Sequence, residues 1–246
     1  MIVPDEGIDS GGDPLEGFWE PAQWEEFTFR DRFEAGRILA ERLAQFRGRK
    51  DVIVLALPRG GVPVGFEVAR ALGVPLDVFL VRKLGVPGEE ELAMGAIASG
   101  GIRILNREVL ALFEIPSEVV EAVTQKELRE LERREKIYRA NRPFPEVRGK
   151  TVILVDDGIA TGATMRAAIR ALRKLGASRI VVAAPTVAGS TVEALREEAD
   201  AVVTVIEPEP FFGVGRWYED FRQLTDSEVQ ELLEASRRQG SFSEEA

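Results

Sequence analysis

The residues whose types and spacing best suit chemistry lie between Val152 and Met165, in the segment VILVDDGIATGATM. An apolar strand there delivers two adjacent carboxylates, Asp156 and Asp157, to its C-terminal end, and a loop of small residues leads on into a helix. In open α/β sheets the carboxyl ends of the strands are where ligands bind. Thr161, Gly162, Ala163 and Thr164 would stand at the helix N-terminus, where free backbone N–H groups and the helix dipole favour a phosphate and two hydroxyls add donors. Gly162 lets the backbone approach the anion closely. Two carboxylates beside a phosphate cradle would repel the anion unless they had another task. Accepting hydrogen bonds from a sugar diol is such a task, and a nearby magnesium ion would screen the charge. A phosphate at one end and a diol a few ångströms away describe a ribose 5-phosphate.

What the chain lacks narrows the chemistry further. It has no Cys and no His, so disulfides, thiolate metal sites, thiol nucleophiles and imidazole bases are excluded. Proton transfer is left to carboxylates, Lys, Tyr or the substrate, and a metal, if used, is expected to be oxygen-bound magnesium. Acidic residues outnumber basic ones 42 to 32, a formal net charge of -10, which argues against a nucleic-acid partner. With 246 residues and 45% hydrophobic content, the chain can bury a full core as one large domain or one domain with an appendage. The first residues, MIVPDEGIDSGGDPLEGFWEP, are acidic and have neither a basic nor an apolar signal region. No apolar run is long enough to span a bilayer, so a cytoplasmic protein without a membrane partner is expected. Abundant Arg and Glu also suit a thermophile.

The elements that must position the turn are legible from periodicity. Residues 1–27 read as an irregular arm with aromatic anchors Phe18, Trp19 and Trp24. From Arg30 to Phe46, Phe33, Ile38, Leu39, Leu43 and Phe46 recur at helical spacing. DVIVLAL, from Asp51, reads as a buried strand that ends in Pro58-Arg59-Gly60-Gly61; VPVGFEVARALG as a helix closed by Gly73; and LDVFLVRKL, from Leu76, as a second strand. That βαβ unit requires a parallel pair with a right-handed crossover. Gly85 to Gly101 reads as a mobile loop or β-hairpin. Ser117 to Arg139 reads as a charged helix with a partial apolar stripe of Val119, Val120, Val123, Leu128, Leu131 and Ile137; it suits a solvated helix, a cap or a dimer contact. From Thr151 the rhythm resumes with strand TVILVDD, a helix from Ala163 to Leu175, strand RIVVAAPT, a helix from Gly189 to Glu198 and strand AVVTVIEP. The expected fold is α/β, an open and mostly parallel sheet with helices on both faces.

The segment from Val152 resembles the fingerprint of type I phosphoribosyltransferases: an apolar strand, two acidic residues, two loosely constrained positions, a small or acidic residue, Thr-Gly, one further residue and Thr or Ser. The resemblance implies that Asp156 and Asp157 take the ribose hydroxyls of phosphoribosyl pyrophosphate, and that Gly158 and Ala160 to Thr164 belong to its binding loop. Ala160 stands where 6-oxopurine members carry an Asp thought to act as base, which lowers the expectation of a hypoxanthine or guanine substrate. ALPRGGVPVG resembles the pyrophosphate loop of that family and implies roles for Arg59, Gly60 and Gly61. LVRK resembles the orotate-type members and implies that Arg82 and Lys83 neutralise the leaving group. PEPFFGVGRWYEDFRQLTD resembles the hood that covers the base: Phe211 or Phe212 could stack on it, and Trp217 or Tyr218 could line its pocket. The resemblance runs from about Phe29 to Glu228. It is nearest to a subgroup of unassigned acceptor that shares the VRK-G-PG stretch and the aromatic VG-x-x-Y hood.

By that resemblance the chain divides into an arm (1–27), a phosphoribosyltransferase core (28–206) with a helical insert at about 107–145, and a C-terminal hood and tail (207–246). The reaction implied is transfer of ribose 5-phosphate from phosphoribosyl pyrophosphate to a nitrogen nucleophile, a nucleobase or similar acceptor, with release of pyrophosphate. Magnesium, Arg59 and Lys83 would act on the leaving group, and Gly85 to Gly101 is the candidate lid, though it carries Glu89, Glu90 and Glu91 where family lids are often basic. A homodimer is expected. The rival reading is a non-catalytic sensor that binds phosphoribosyl pyrophosphate and turns over no base. An unrelated phosphohydrolase or nucleotide-binding domain ranks behind both, for neither a Walker motif nor a Gly-x-Gly-x-x-Gly loop is present.

Overall fold

A computed structural model describes residues 27–243, so the aromatic anchors Phe18, Trp19 and Trp24 and most of the expected arm lie outside the described residues. Five short strands, β1 (Val52–Ala56), β2 (Leu76–Val78), β6 (Thr151–Val155), β7 (Arg179–Thr186) and β8 (Ala201–Ile206), form one sheet in the order β2-β1-β6-β7-β8. Every pairing in it is parallel. Because side chains alternate across a strand, Val52, Val54 and Ala56 of β1 face one core, while Ile53 and Leu55 face the other. Helices α1 (Arg32–Arg42), α2 (Gly61–Leu72) and α7 (Asp226–Ser243) cover the first face, and α5 (Ala163–Lys174) and α6 (Gly189–Glu198) cover the second. The sheet is therefore apolar on both sides, as the unbroken hydrophobic strands required. Among the described residues no helix is long and apolar enough to cross a membrane.

Chain order departs from spatial order at one place. The path leaves β1 for β2 on one side, whereas β6 leads to β7 and β8 on the other. The loops after β1 and β6 consequently emerge side by side at the switch point, where such sheets open a crevice.

Two expectations need correction, and a third, left open between alternatives, is narrowed. First, the stretch from Leu76 is not one strand. β2 stops at Val78, and β3 (Val81–Val86) starts a separate antiparallel sheet with β4 (Glu89–Ala98) and β5 (Ile102–Leu105). The change of partner is made by hydrogen bonds: Phe79 N–H still donates to the Ala56 carbonyl (2.9 Å), whereas Leu80 N–H donates to Ser99 Oγ (3.0 Å). Gly85 to Gly101 accordingly includes the turn and second strand of the β3–β4 hairpin, the second of the two alternatives. Second, the buried stripe of α1 is Arg32, Ala35, Gly36, Leu39 and Ala40, with Phe33 and Ile38 only half-buried. Small residues bring α1 close to α2, where a Cβ at Gly36 would stand 2.8 Å from the Val64 carbonyl oxygen. Third, α4 (Ser117–Arg139), which follows the short α3 (Arg107–Leu112), is not merely solvated. It packs on β3, β4 and α7 and buries Val120, Thr124, Leu131, Tyr138 and Arg139.

Arg139 is the anchor of that arrangement. Its guanidinium is 2% exposed and donates to Asp77 (3.0 Å), Glu135 (2.7 Å) and the Val78 carbonyl (2.7 Å), the last at the point where the main-sheet ladder ends. Burial pushes the Asp77 carboxyl up even against the Arg139 charge. Removing the cation leaves a buried acid and a buried carbonyl without their donor, which costs far more than a surface pair. Arg139→Ala is expected to destabilise the protein by about 3–5 kcal/mol, read as a shift of the urea midpoint with an unchanged slope.

Candidate active site at the sheet switch point

The register Ala56↔Val155 brings the ends of β1 and β6 level, and Leu57 N–H donates to the Val155 carbonyl across the gap (2.8 Å). The two loops that follow are in direct contact. A Cβ on Gly60 would lie 1.9 Å from Asp157 Oδ2, and one on Gly61 would lie 2.9 Å from the Asp156 Cα. Only glycine fits at either position, and its absence of side chain is what places the Arg59-Gly60-Gly61 loop against the paired carboxylates. The Pro58–Arg59 peptide is cis. Arg59 itself is half-exposed, 3.9 Å from Asp226 at the start of α7.

Asp156 and Asp157 are half-buried, and their environments differ. Arg32 Nε donates to Asp157 Oδ2 at 2.7 Å, with both side chains largely out of water. The same guanidinium donates to the Arg222 carbonyl (3.0 Å) and lies over the Phe221 ring, 3.9 Å from its centroid. Asp156 has no such cation at contact distance; Oδ1 accepts the Asp157 N–H (2.8 Å). Burial first, and the neighbouring Asp157 charge second, hold the Asp156 carboxyl well above the ordinary carboxylate range.

Beyond the pair the chain turns through Gly158, Ile159 and Ala160 into α5. Ile159 N–H donates to Thr186 and its carbonyl accepts from Ala188 N–H, while Thr191 Oγ1 donates to the Ala160 carbonyl at 2.5 Å. Gly162 is left-handed (φ 71°) and caps α5. Among the described residues no protein acceptor takes the N–H groups of Thr161 to Thr164, the orphan donors of a helix start. Ala160, Thr161, Ala163 and Thr164 are exposed. Lys83, on β3, shares a cleft of about 740 Å³ with Ala163 and Thr164, and is paired with Glu91 across the hairpin (3.1 Å). Arg82 is directed elsewhere: it donates to Glu127 of α4 (2.9 Å from Nε). In the hood, Val214 packs against Gly158, where a Cβ would stand 2.4 Å from Val214 Cγ1. Phe211 is half-buried and Phe212 is 72% exposed under the Arg216 guanidinium. Trp217 and Tyr218 are buried in the core, and the Tyr218 hydroxyl donates to the Asp157 carbonyl (2.5 Å).

With the two loops in contact at the switch point, the comparison with known proteins is decisive. A family model described as a phosphoribosyl transferase domain matches residues 29–218. This chain belongs to the phosphoribosyl transferase domain family. It is 47% identical over 210 residues to a Mycobacterium tuberculosis protein named provisionally as a phosphoribosyl transferase; the match covers 85% of this chain and 47% of that protein. The chain thus spans about half the length of the curated relatives it matches. Its structure superposes on the crystal structure of TT1426 from Thermus thermophilus with a TM-score of 0.75 and 43% identity, covering 84% of this chain and 98% of that one.

The links of Arg32, Phe221 and Asp226 to the two contacting loops were not legible in the sequence. An arginine in the first turn of an amphipathic helix carries no mark of its partner, 125 positions away. One signal was available: Arg32 sits three and four residues before the small pair Ala35 and Gly36, on the stripe that is buried. The hood is tied by backbone to the segment that leads into this helix, since Phe29 N–H donates to the Trp217 carbonyl and Glu219 N–H to the Phe29 carbonyl, each at 2.8 Å.

Two outcomes follow from the charge arrangement. Arg32→Ala leaves Asp157 without its buried counter-charge and is expected to cost about 3 kcal/mol in denaturant titration; Lys should not restore it, because a point charge cannot stack on Phe221 while bonding two oxygens. Asp156→Asn should instead raise stability at neutral pH, by about 0.5–2 kcal/mol. Because the folded protein holds the Asp156 proton more tightly than the unfolded chain, wild-type stability falls as pH rises through the window above the ordinary carboxylate range. The gain from Asn is therefore largest above that window and shrinks as pH falls through it, which thermal melts at stepped pH would show.

Proposed function

We propose that the chain is a phosphoribosyltransferase that binds phosphoribosyl pyrophosphate across the two contacting loops and transfers ribose 5-phosphate to a nitrogen nucleophile. The observation that carries this reading is the seating of Gly60 and Gly61 directly on Asp157 and Asp156. It supports the reading because the Arg59 loop then lies directly beside two carboxylates able to accept from a diol, as one sugar phosphate would require. The 5-phosphate takes the unengaged N–H groups of Thr161 to Thr164 and their hydroxyls. Asp156 and Asp157 accept the ribose hydroxyls, with Arg32 fixing the Asp157 carboxylate. Arg59 and Lys83 face the pyrophosphate, Lys83 by exchanging Glu91 for it, whereas Arg82 supports the hairpin through Glu127.

The bond from C1 to the pyrophosphate oxygen breaks, a bond from C1 to nitrogen forms with inversion, and the electron pair leaves with pyrophosphate. Positive charge on the ring is favoured by the carboxylates below it, and negative charge on the leaving group by Arg59 and Lys83. Among the described residues no group of three or more acidic side chains is placed to cage a metal. The donor set fits a magnesium ion carried by the substrate's own oxygens and water beside Asp156 and Asp157. Such an ion would neutralise charge on the pyrophosphate. With no His in the chain and Ala160 in the turn, the nucleophile's proton passes to pyrophosphate or water. Phe211 and Phe212 are the rings for an acceptor base, while Trp217 and Tyr218 hold the hood they stand on.

The test is calorimetric titration with magnesium phosphoribosyl pyrophosphate. Saturable binding is expected for the wild type and at least about 100-fold weaker binding for Asp156→Asn with Asp157→Asn, the loss of two charge-assisted hydrogen-bond sets. A nucleobase panel scored for pyrophosphate release then identifies the acceptor. Binding with no release from any nitrogen nucleophile would replace transfer by sensing, and no binding by the wild type would overturn the reading.

A further inference from the structure

Arg59 has one acidic partner among the described residues, Asp226, whose Oδ1 lies 3.9 Å from its Nη1. The same Oδ1 accepts a hydrogen bond from the Tyr138 hydroxyl at 2.6 Å. Tyr138 is 2% exposed and lies near the end of α4, in the insert between the two halves of the main sheet. Three elements distant in sequence, the loop after β1, the insert helix and the C-terminal helix, thus converge on one carboxylate oxygen.

Asp226 is free for this purpose because the start of α7 is capped by others. Thr225 Oγ1 accepts the Glu228 N–H (3.2 Å) and Glu228 Oε2 accepts the Thr225 N–H (2.8 Å), a reciprocal capping box. The Asp226 side chain takes no part in it. The Tyr138 hydroxyl is held in turn: burial, then the bond to Asp226, pushes its titration far upward, so it remains a donor at any working pH. The end of α4 is clamped to α7 by Gln230 Nε2 donating to the Ile137 carbonyl (2.6 Å) and by Arg237 Nη2 donating to the Tyr138 carbonyl (3.4 Å). Those bonds fix the place of the tyrosine independently of Asp226.

We propose that Asp226 and Tyr138 are positioning residues for Arg59, so that the insert helix serves to hold the guanidinium ready for the pyrophosphate of the substrate. The inference rests on the phosphoribosyltransferase reading of the site. A flexible arginine loses side-chain freedom when it engages an anion; an acidic tether that restricts it beforehand lowers that cost. The bond from a neutral phenol orients the carboxylate without cancelling its charge.

Two ligands separate positioning from general structure. Phosphoribosyl pyrophosphate with magnesium requires Arg59, whereas ribose 5-phosphate lacks the group that Arg59 meets. In Tyr138→Phe, and in Asp226→Asn on the exposed side of the pair, the affinity for phosphoribosyl pyrophosphate is expected to fall about threefold to tenfold, with ribose 5-phosphate binding unchanged. In an Arg59→Ala background, adding Tyr138→Phe is expected to change nothing further. Thermal melts establish that the variants are folded. Equal loss for both ligands, no loss in either variant, or tighter binding by Asp226→Asn overturns the proposal, the last because it would make Asp226 a repelling charge. A wild type that binds neither ligand overturns the underlying reading as well, and is distinguished by failing before any substitution is made.

Discussion

Two carboxylates on consecutive residues, both drawn partly out of water, repel each other, and the surrounding structure is arranged to make that pair tolerable. Asp157 is neutralised by Arg32, whose guanidinium is itself fixed by the Phe221 ring and the Arg222 carbonyl. Asp156 is left with backbone donation alone and an elevated proton affinity. The asymmetry has a structural consequence. Helix α1 and the hood are joined because they supply, respectively, the cation and the surface it lies on. Without the acidic pair there would be no reason for a buried arginine on the first turn of α1, and without that arginine the hood would have only backbone bonds and packing to hold it.

The same pair explains the glycines at the β1 loop. Any side chain at Gly60 would overlap the Asp157 carboxylate, and any at Gly61 would overlap the backbone at Asp156. Close approach of two loops at a switch point brings donors of one near acceptors of the other, but it also lowers the local dielectric and sharpens the repulsion. Stability is thus given up at the place where binding is proposed, and it is recovered in the two dry cores, whose strands are buried on both faces.

Much of this was legible in the sequence, and the rest was hidden for identifiable reasons. Unbroken apolar runs such as Val52–Ala56 and 180–184 mark strands buried on both faces, and β7, α4 and α6 start and stop where their sequence patterns indicate. The Asp-Asp and Thr-Gly-x-Thr spacing marks the strand-to-helix turn because it is local. Local pattern fails where a non-local partner decides. Leu76 to Leu84 contains no Gly, Pro or Asn, so the change of sheet at Phe79 and Leu80 is dictated by Ser99 and Arg139, far along the chain. Arg82 and Lys83 look alike in sequence, yet alternation on a strand sends one to Glu127 and the other toward Thr164. Trp217 and Tyr218 were indistinguishable from pocket-lining aromatics until their burial was known.

In a chain of net charge -10, the cations near the proposed site each have a carboxylate partner. Lys83 is held by Glu91, Arg82 by Glu127, Arg59 by Asp226 and Arg32 by Asp157. These pairs are graded by burial. Arg32–Asp157 is nearly dry and Arg82–Glu127 is partly so, whereas Arg59–Asp226 and Lys83–Glu91 stand largely in water. Exposed pairs are weak and exchange readily, while buried ones cost several kcal/mol to break. The gradient sorts the four cations into two fixed by largely buried pairs, Arg32 and Arg82, and two whose pairs leave them accessible, Arg59 and Lys83. These two accessible cations belong to separate elements, the loop after β1 and the outer hairpin. On the proposed reading Arg59 meets the ligand while tethered by Asp226 and Lys83 meets it by leaving Glu91, and a group that spans both cations must carry more than one negative charge.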